Sequence, residues 1–222
     1  MDNPWPRMYE DFYAVKRIMH ACRLLKKHCP SGAVVEVGAF KGISEIYLNK
    51  EHEYIQYDCE KFTPKTNVID LNKDFHLVPC EAVLCLEVLE HVLDPFKVLH
   101  ELTRVCHKPS GIIVISLPNE ATLFHRLRAL FGVVDAECFS SSGKHIHLPS
   151  LNQSIKFLQR FGHVIESFSY INPSATGSRQ GRWFQWMRWI PDWVWQALAD
   201  RMPSLFARGW IFVLKPHQNV PA

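Results

Sequence analysis

A chain of 222 residues can bury one sizeable core, and 47% hydrophobic with 21% charged residues is the composition of an ordinary folded protein, without a low-complexity run or a repeat. The net charge of +3, with 25 basic residues dispersed among 22 acidic ones, is too small to indicate a nucleic-acid partner. Seven cysteines without paired C-x-x-C spacing argue against a disulfide framework or a zinc knuckle and suit a reducing compartment, with Cys59, Cys85 and Cys106 reading as small buried hydrophobes.

Met1 to Arg7 carry no basic region followed by an apolar core, and no run reaches the roughly 18 apolar residues of a spanning helix, so a cytoplasmic protein is expected. From about Tyr9 to His28, Phe12, Val15, Ile18, Met19, Cys22, Leu24 and Leu25 recur at near-helical spacing with Lys16, Arg17, Lys26 and Lys27 interleaved, which predicts an amphipathic helix. Strand-like runs follow near 33–37, 54–58, 66–69, 81–86 and 111–117, separated by helical or loop segments. That alternation argues for a parallel sheet with helices on both faces, and ligands of such sheets sit beyond the carboxyl ends of the strands.

The first run, Val34-Val35-Glu36-Val37, stops at Gly38-Ala39-Phe40-Lys41-Gly42 before a helical pattern begins at Ile43. Glycine there permits positive φ and lets a ligand approach where a Cβ would stand. The next strand, Tyr54 to Asp58, ends in a carboxylate twenty residues after Gly38, the distance at which a second parallel strand holds ribose hydroxyls. Glycine turn and strand-end acid together point to an adenosine-containing cofactor.

The strand at Glu81 to Leu86 leads into Glu87-Val88-Leu89-Glu90-His91-Val92-Leu93-Asp94-Pro95 and a helix from Phe96 to His107. Lys108-Pro109-Ser110-Gly111 then turns into a strand ending at Pro118-Asn119. Beyond it the pattern predicts a helix from Ala121 to Phe131 with Arg126 and Arg128, and a polar loop from Ser140 to Lys144 where the substrate side should begin. A helix from Leu151 to Phe161 stops at Gly162, and strands follow at Val164–Tyr170 and Gly209–Leu214. Between these strands, Arg182 to Trp195 holds five of the seven tryptophans, with Trp183, Trp186 and Trp189 three apart beside arginines. Such composition suits a membrane interface, and equally a packed cap or a dimer contact.

Residues 33 to 119 resemble the class I S-adenosylmethionine-dependent methyltransferases of the type 11/23-like kind. Their usual text runs E-x-G-x-G-x-G, a strand-end D, E-x-x-E-H-V-x-D-P, R-x-L-K-P-G-G and a strand ending in P-N. The resemblance implies an α/β, Rossmann-like class I fold with a mostly parallel seven-stranded sheet and helices on both faces. It implies one domain over 1–222: an N-terminal helical region (1–30), a cofactor-binding core (31–119) and a substrate-side part (120–222) with a Trp-rich insertion at about 178–208. The N-terminal helix would either cover the cofactor cleft or simply cover the core.

By the same resemblance S-adenosyl-L-methionine would be held by Glu36, Gly38, Phe40 and Gly42 in the first turn, by Asp58 at the ribose and by Leu86 and Glu87 at the methionine end. Asp70 is either near the adenine amine or a turn residue. Two positions depart from the family text. Phe40 replaces the middle glycine, where its ring would cover or obstruct the methionine part, and Ser110-Gly111 replaces a glycine pair.

Methyl transfer from a sulfonium needs proximity, alignment and, for a hydroxyl acceptor, a base. His91 and His145 are the general-base candidates, since a histidine titrates near neutrality. The expectation is no metal. The alternative is Mg2+ held by Glu87, Glu90, His91 and His145, because E-x-x-E-H at i, i+3 and i+4 would share one helix face and is similar to the magnesium site of ubiquinone-pathway O-methyltransferases and of small-RNA 3′-end 2′-O-methyltransferases. Relatives without a metal carry the same text. The leading expectation is O-methylation of a small-molecule or lipid-linked acceptor, with Trp183 to Phe206 as an apolar lid, peripheral membrane contact through Trp183–Trp195 as a further option, and nucleic acid disfavoured. The competing expectations are a cation-dependent O-methyltransferase of RNA or catechol type and a non-catalytic scaffold in which Phe40 fills the cofactor volume.

Overall fold

Apolar, β-branched runs long enough for a strand and too short for a helix dominate the first half of the chain, and each becomes a strand. In the computed structural model, which describes residues 12–48, 50–106, 110–119, 121–132, 145–147, 149–171 and 190–217, the strands are β1 (Gly32–Val37), β2 (His52–Asp58), β3 (Asn67–Val68), β4 (Ala82–Leu86), β5 (Ile112–Pro118), β6 (Gly162–Tyr170) and β7 (Gly209–Pro216). They form one sheet in the order β3-β2-β1-β4-β5-β7-β6. Pairing is parallel from β3 to β5, and β7 runs antiparallel between β5 and β6. The fold is thus the α/β, Rossmann-like arrangement, a mostly parallel seven-stranded sheet with helices on both faces.

The helices are α1 (Phe12–His28), α2 (Ser44–Tyr47), α3 (Pro95–Val105), α4 (Leu123–Leu130), α5 (Leu151–Leu158), α6 (Asp192–Arg201) and α7 (Pro203–Phe206). Every residue of β4 and β5 is buried, as a central strand covered on both faces requires. Alternate residues feed two cores. Val35, Val83, Cys85, Ile113 and Ile115 face a core shared with Leu99 and Leu102 of α3 and Leu158 of α5. Val34, Leu84, Val114, Ile211 and Val213 face Ala21, Cys22 and Leu25 of α1. The amphipathic N-terminal helix therefore covers the core.

Helix starts follow local chemistry. Asp94 caps α3, its carboxylate accepting from the Phe96 and Lys97 N–H groups at 3.0 Å, with Pro95 opening the helix. Ser150 and Gln153 form a reciprocal capping box on α5. Elsewhere the sequence expectations need correcting. The helix expected from Ile43 is only Ser44–Tyr47, because the chain turns extended at Leu48. The strand at 66–69 keeps two exposed edge residues. Cys59 is exposed, lying past the end of β2 where the burial alternation has stopped, whereas Cys85 and Cys106 are buried. The six cysteines among the described residues are thiols rather than disulfides. Among the described residues no helix is long and apolar enough to cross a membrane.

Strand order reverses between β1 and β4, and in sheets of this kind ligands bind at such a reversal, beyond the carboxyl ends of the strands. Because β7 is antiparallel to both neighbours, β6 points the same way as β5, and its end at Tyr170 shares that edge.

Candidate active site

The turn after β1 takes left-handed φ at Gly38 (+68°), Phe40 (+46°) and Gly42 (+67°). A Cβ at Gly38 would overlap Val88 Cγ2, and one at Gly42 the Gln56 amide, so the turn is clamped between the segment after β4 and the middle of β2. Phe40 adopts a backbone usual for glycine, which costs an L-residue about 1–2 kcal/mol. Its N–H donates to Asp58 Oδ2 at 2.7 Å, which holds that conformation. The Phe40 ring lies against Phe62, centroids 4.4 Å apart, with Lys41 Nζ 5.5 Å from its centre. The ring thus packs on the segment that follows β2.

Asp58, 8% exposed, also accepts from the Cys59 N–H at 2.7 Å. The Cys59 thiol donates to the same oxygen, Oδ1, at 3.3 Å, while Oδ2, which accepts from Phe40, keeps a second lone pair for a ribose hydroxyl. Glu36 lies beneath the turn, 4% exposed, and accepts from Ser44 Oγ at 2.8 Å and from the Tyr54 hydroxyl. Burial raises its carboxyl to about 7. Glu36 thus binds β1, β2 and α2 together and shapes the turn from below. Asp70 accepts from the Asn72 N–H at 3.0 Å and pairs with Lys73 Nζ at 3.3 Å, as a turn residue does. The glycine cradle and the strand-end carboxylate fit an adenosine-bearing group.

Leu86 ends β4 buried, and Glu87 follows at φ +57°. One Glu87 oxygen accepts from the Tyr170 hydroxyl at 2.9 Å and from Ser116 Oγ at 3.1 Å, and the other lies 3.5 Å from an Arg17 guanidinium nitrogen. Burial, and then the Glu87 charge, push the Tyr170 hydroxyl well above its ordinary pKa, so it donates.

Residues 87–93 form turns, not the helix on which three acid and base groups would share a face. The four-ligand set Glu87, Glu90, His91 and His145 is therefore split. Glu87 turns towards β5, β6 and α1, while Glu90, His91 and His145 gather with ligand atoms within 4.8 Å of one another. Glu90 is fully buried, 3.9 Å from His91 Nε2. Its carbonyl accepts from the Ile146 N–H at 2.7 Å and the His147 N–H at 3.2 Å, which brings the His145 ring to 4.9 Å from that of His91. Alongside lies a cavity of about 640 Å³ lined mainly by apolar side chains, among them Leu89, Leu93, Phe96, Leu117 and Phe157, with Glu90, Asp94, His147, Gln153 and Ser154 as its polar members.

Asn119, 1% exposed, donates to the Ala207 carbonyl at 2.8 Å and accepts from the Ala121 N–H at 3.0 Å, fastening the segment before β7 to the end of β5. In the Trp-rich stretch Trp195 is buried against Phe206, ring centres 6.4 Å apart, and Trp193 is 72% exposed. Residues 172–189, with Trp183, Trp186 and Trp189, and the loop 140–144 lie outside the described residues.

Sequence reasoning passed over Arg17, Ser116 and Tyr170. Arg17 stands at i, i+4 and i+8 with buried Ala21 and Leu25, so its register, not its charge, was the signal. Ser116 is the one polar residue within the apolar run of β5. Tyr170 closes β6 at the ligand edge.

The family model described as a methyltransferase domain matches residues 10–209. No curated protein sequence matches significantly. Among solved structures, an S-adenosylmethionine-dependent methyltransferase from Archaeoglobus fulgidus is 17% identical with a TM-score of 0.55, covering 94% of this chain and 98% of that one. The N-methyltransferase NodS from Bradyrhizobium japonicum, solved with S-adenosyl-L-homocysteine, is 12% identical with a TM-score of 0.57, covering 97% and 93%. The small RNA methyltransferase HEN1 is 12% identical with a TM-score of 0.60, covering all of this chain and 27% of that one. At these identities the likeness shows the fold, while the family match spans most of the chain. The protein is an S-adenosylmethionine-dependent methyltransferase and belongs to the class I methyltransferase family.

Proposed function

We propose that the methyl group passes to a hydroxyl of a small-molecule or lipid-linked acceptor, with His91 and His145 as the proton-accepting groups. The observation that carries this reading is the apolar cavity of about 640 Å³ beside Glu90, His91 and His145. That volume lies within the about 300–1,000 Å³ of small-molecule pockets, and its mainly apolar lining with a few polar groups, Glu90, His147 and Gln153 among them, suits a largely apolar body carrying polar substituents. When bound, the cofactor supplies a methyl activated by its positive sulfur. The chain's own contribution is alignment: the turn at Gly38 to Gly42 and Asp58 fix the adenosine, and the imidazoles take the hydroxyl proton. Glu90, next to His91, stabilises the imidazolium that forms.

Exposed Trp193 supports peripheral contact with a lipid-bearing membrane, and the thiol state of the described cysteines supports a cytoplasmic setting. A single domain, with 31–119 for the cofactor and 120–222 for the acceptor, accords with one continuous sheet. The scaffold alternative loses its ground, since the Phe40 ring rests on Phe62.

The test is transfer of a labelled methyl group to phenols and alcohols with and without an alkyl tail. Replacing His91 or His145 with Ala should slow turnover about 10²–10⁴-fold with cofactor affinity kept. Transfer to amines alone would overturn the assignment to oxygen. Replacing Asp58 with Ala should weaken S-adenosylhomocysteine, and unchanged affinity would remove the ribose contact.

A second reading, a cation-assisted O-methyltransferase, is favoured by the gathering of Glu90, His91 and His145. Two imidazoles with one carboxylate suit an imidazole-tolerant transition metal better than Mg2+, which prefers oxygen ligands. Activity undiminished by a chelator would eliminate it.

A further inference from the structure

On α1 the basic residues Lys16, His20, Arg23 and Lys27 recur at i, i+4, i+7 and i+11, which sets them along one side of the helix. That side faces the edge strand β6 and α6. Lys27 Nζ lies 2.8 Å from Glu166 of β6, the His20 ring stacks on Phe168 of β6 with centroids 4.4 Å apart, and Lys16 Nζ lies 3.5 Å from Asp192 at the start of α6. Where the three elements meet they leave a groove of about 410 Å³, and Gln196 of α6 fixes one wall by donating to the Ser169 carbonyl at 2.9 Å.

The groove is cationic and apolar at once. Its lining holds two permanent cations, Lys16 and Arg23, against one carboxylate, Asp192. The Lys16–Asp192 pair is long and solvent-exposed, so it holds Lys16 weakly and leaves the ammonium able to meet another anion. Arg23 is exposed and has no ion pair among the described residues. Burial, and then the charges of Arg23 and Lys16, hold His20 below its usual pKa, so the fields of both cations converge on the imidazole in the groove. Phe168 and Ile171 give the groove apolar surface, and Met19 and Trp193 line it while remaining 46% and 72% exposed.

Cations with an exposed indole and thioether beside them match the headgroup region of a membrane, where phosphate meets apolar chain. The sequence supports the same occupant. Ile171 and Asp192 both line the groove, and between them the chain carries Arg179, Arg182 and Arg188, three tryptophans and no acid. A nucleic acid would need a longer cationic track. We propose that the groove between α1, β6 and α6 seats the phosphate of an anionic phospholipid at a membrane surface. Lys16 and Arg23 donate to the phosphate, while Trp193 and Met19 enter the boundary between headgroups and acyl chains. The inference rests on the reading of peripheral membrane contact and deepens it, giving that contact a face and a charge preference.

The test is co-sedimentation of the full chain with vesicles of phosphatidylcholine and with vesicles of equimolar phosphatidylcholine and phosphatidylglycerol. Wild type should prefer the anionic vesicles, and the preference should fade as salt rises. Lys16→Gln combined with Arg23→Gln should weaken anionic binding about 10–30-fold, or about 5-fold for each cation, with the melting temperature kept. Lys65→Gln combined with Lys73→Gln, an equal loss of charge beside β3 at the opposite edge of the sheet, should weaken it less than about threefold. Equal losses in the two double variants would make the attraction a property of overall charge and overturn the proposal. Undiminished binding by the Lys16 and Arg23 variant would do so too, moving the contact to residues 172–189. Binding of glycerol phosphate in calorimetry without vesicle binding would assign the groove to a soluble phosphate and overturn the membrane source. Equal binding of wild type to both kinds of vesicle would overturn the headgroup site while membrane contact stands, and binding to neither would remove membrane contact itself.

Discussion

Gly38 is a position where the turn after β1 is tightly built, and its replacement by alanine separates two costs. At φ +68° an L-residue is disfavoured by about 1–2 kcal/mol. The new Cβ would also fall roughly 1 Å or more inside the ordinary contact distance to Val88 Cγ2, on a side chain that is 8% exposed and packed in the core. Relieving such an overlap by moving a packed side chain costs a further 1–3 kcal/mol or about that. The expected loss is about 2–5 kcal/mol, a large part of the roughly 5–15 kcal/mol that holds a domain folded. Urea denaturation followed by far-ultraviolet circular dichroism on wild type, Gly38→Ala, Val88→Ala and the double variant separates the terms. Truncating Val88 removes the clashing methyl but not the backbone strain, so the double variant should be less destabilised than the sum by about 1–3 kcal/mol. Additivity within about 0.5 kcal/mol would refute the contact between the two segments, and a loss below about 0.5 kcal/mol for Gly38→Ala alone would refute the left-handed turn.

Glu36 makes a pH prediction. Its folded carboxyl is raised from 4.5 to about 7 by burial, so between those values the folded state holds more protons than the unfolded chain. Its contribution is fully present below the unfolded value and is lost as pH rises through the folded one, a loss of about 3 kcal/mol. Glu36→Gln should be the more stable protein near about pH 8 relative to wild type than near about pH 5, read from urea midpoints, and parallel pH profiles would acquit Glu36. Asn119→Ala strands the Ala207 carbonyl and the Ala121 N–H, so a loss of about 2–4 kcal/mol is expected, with faster amide hydrogen exchange in α7. A melting temperature within a degree or so of wild type would refute that anchoring role.

Elements whose fate is decided locally were legible in the chain. The unbroken apolar runs of β4 and β5 leave only a fully covered strand, and Asp94-Pro95 and Ser150 mark helix starts through their own side chains. The turn at Gly38 to Gly42 and the acid at Asp58 come together as their spacing predicts, through the bond from the Phe40 N–H. What spacing could not convey was direction. Glu87 and Glu90 look alike in sequence, yet a single left-handed residue sends one to Tyr170 and leaves the other beside His91. Arg17 read as part of a polar face because helical periodicity says which residues align, not what stands opposite them. Cys59 read as buried because the strand's end, one residue earlier, is set by pairing with β3.

Tyr170 and Gly209 are register partners at the end of the last two strands, so the whole stretch from 171 to 208 leaves and returns at one point. The Arg208 N–H donates to the Tyr170 carbonyl at 2.8 Å and the Asn119 N–H to the Arg208 carbonyl at 2.8 Å, which pins both feet of this long hairpin tip to the sheet. Once the feet are fixed, the entropic cost of the span grows slowly, by about 0.6 kcal/mol for each doubling of length. The freedom belongs to the part of the span before α6, because Ala199 of α6 and Ala207 after α7 are packed into the core and Asn119 holds the Ala207 carbonyl. Changes of length between 171 and α6 should therefore leave the sheet intact, while cuts that reach α6 or α7 remove core.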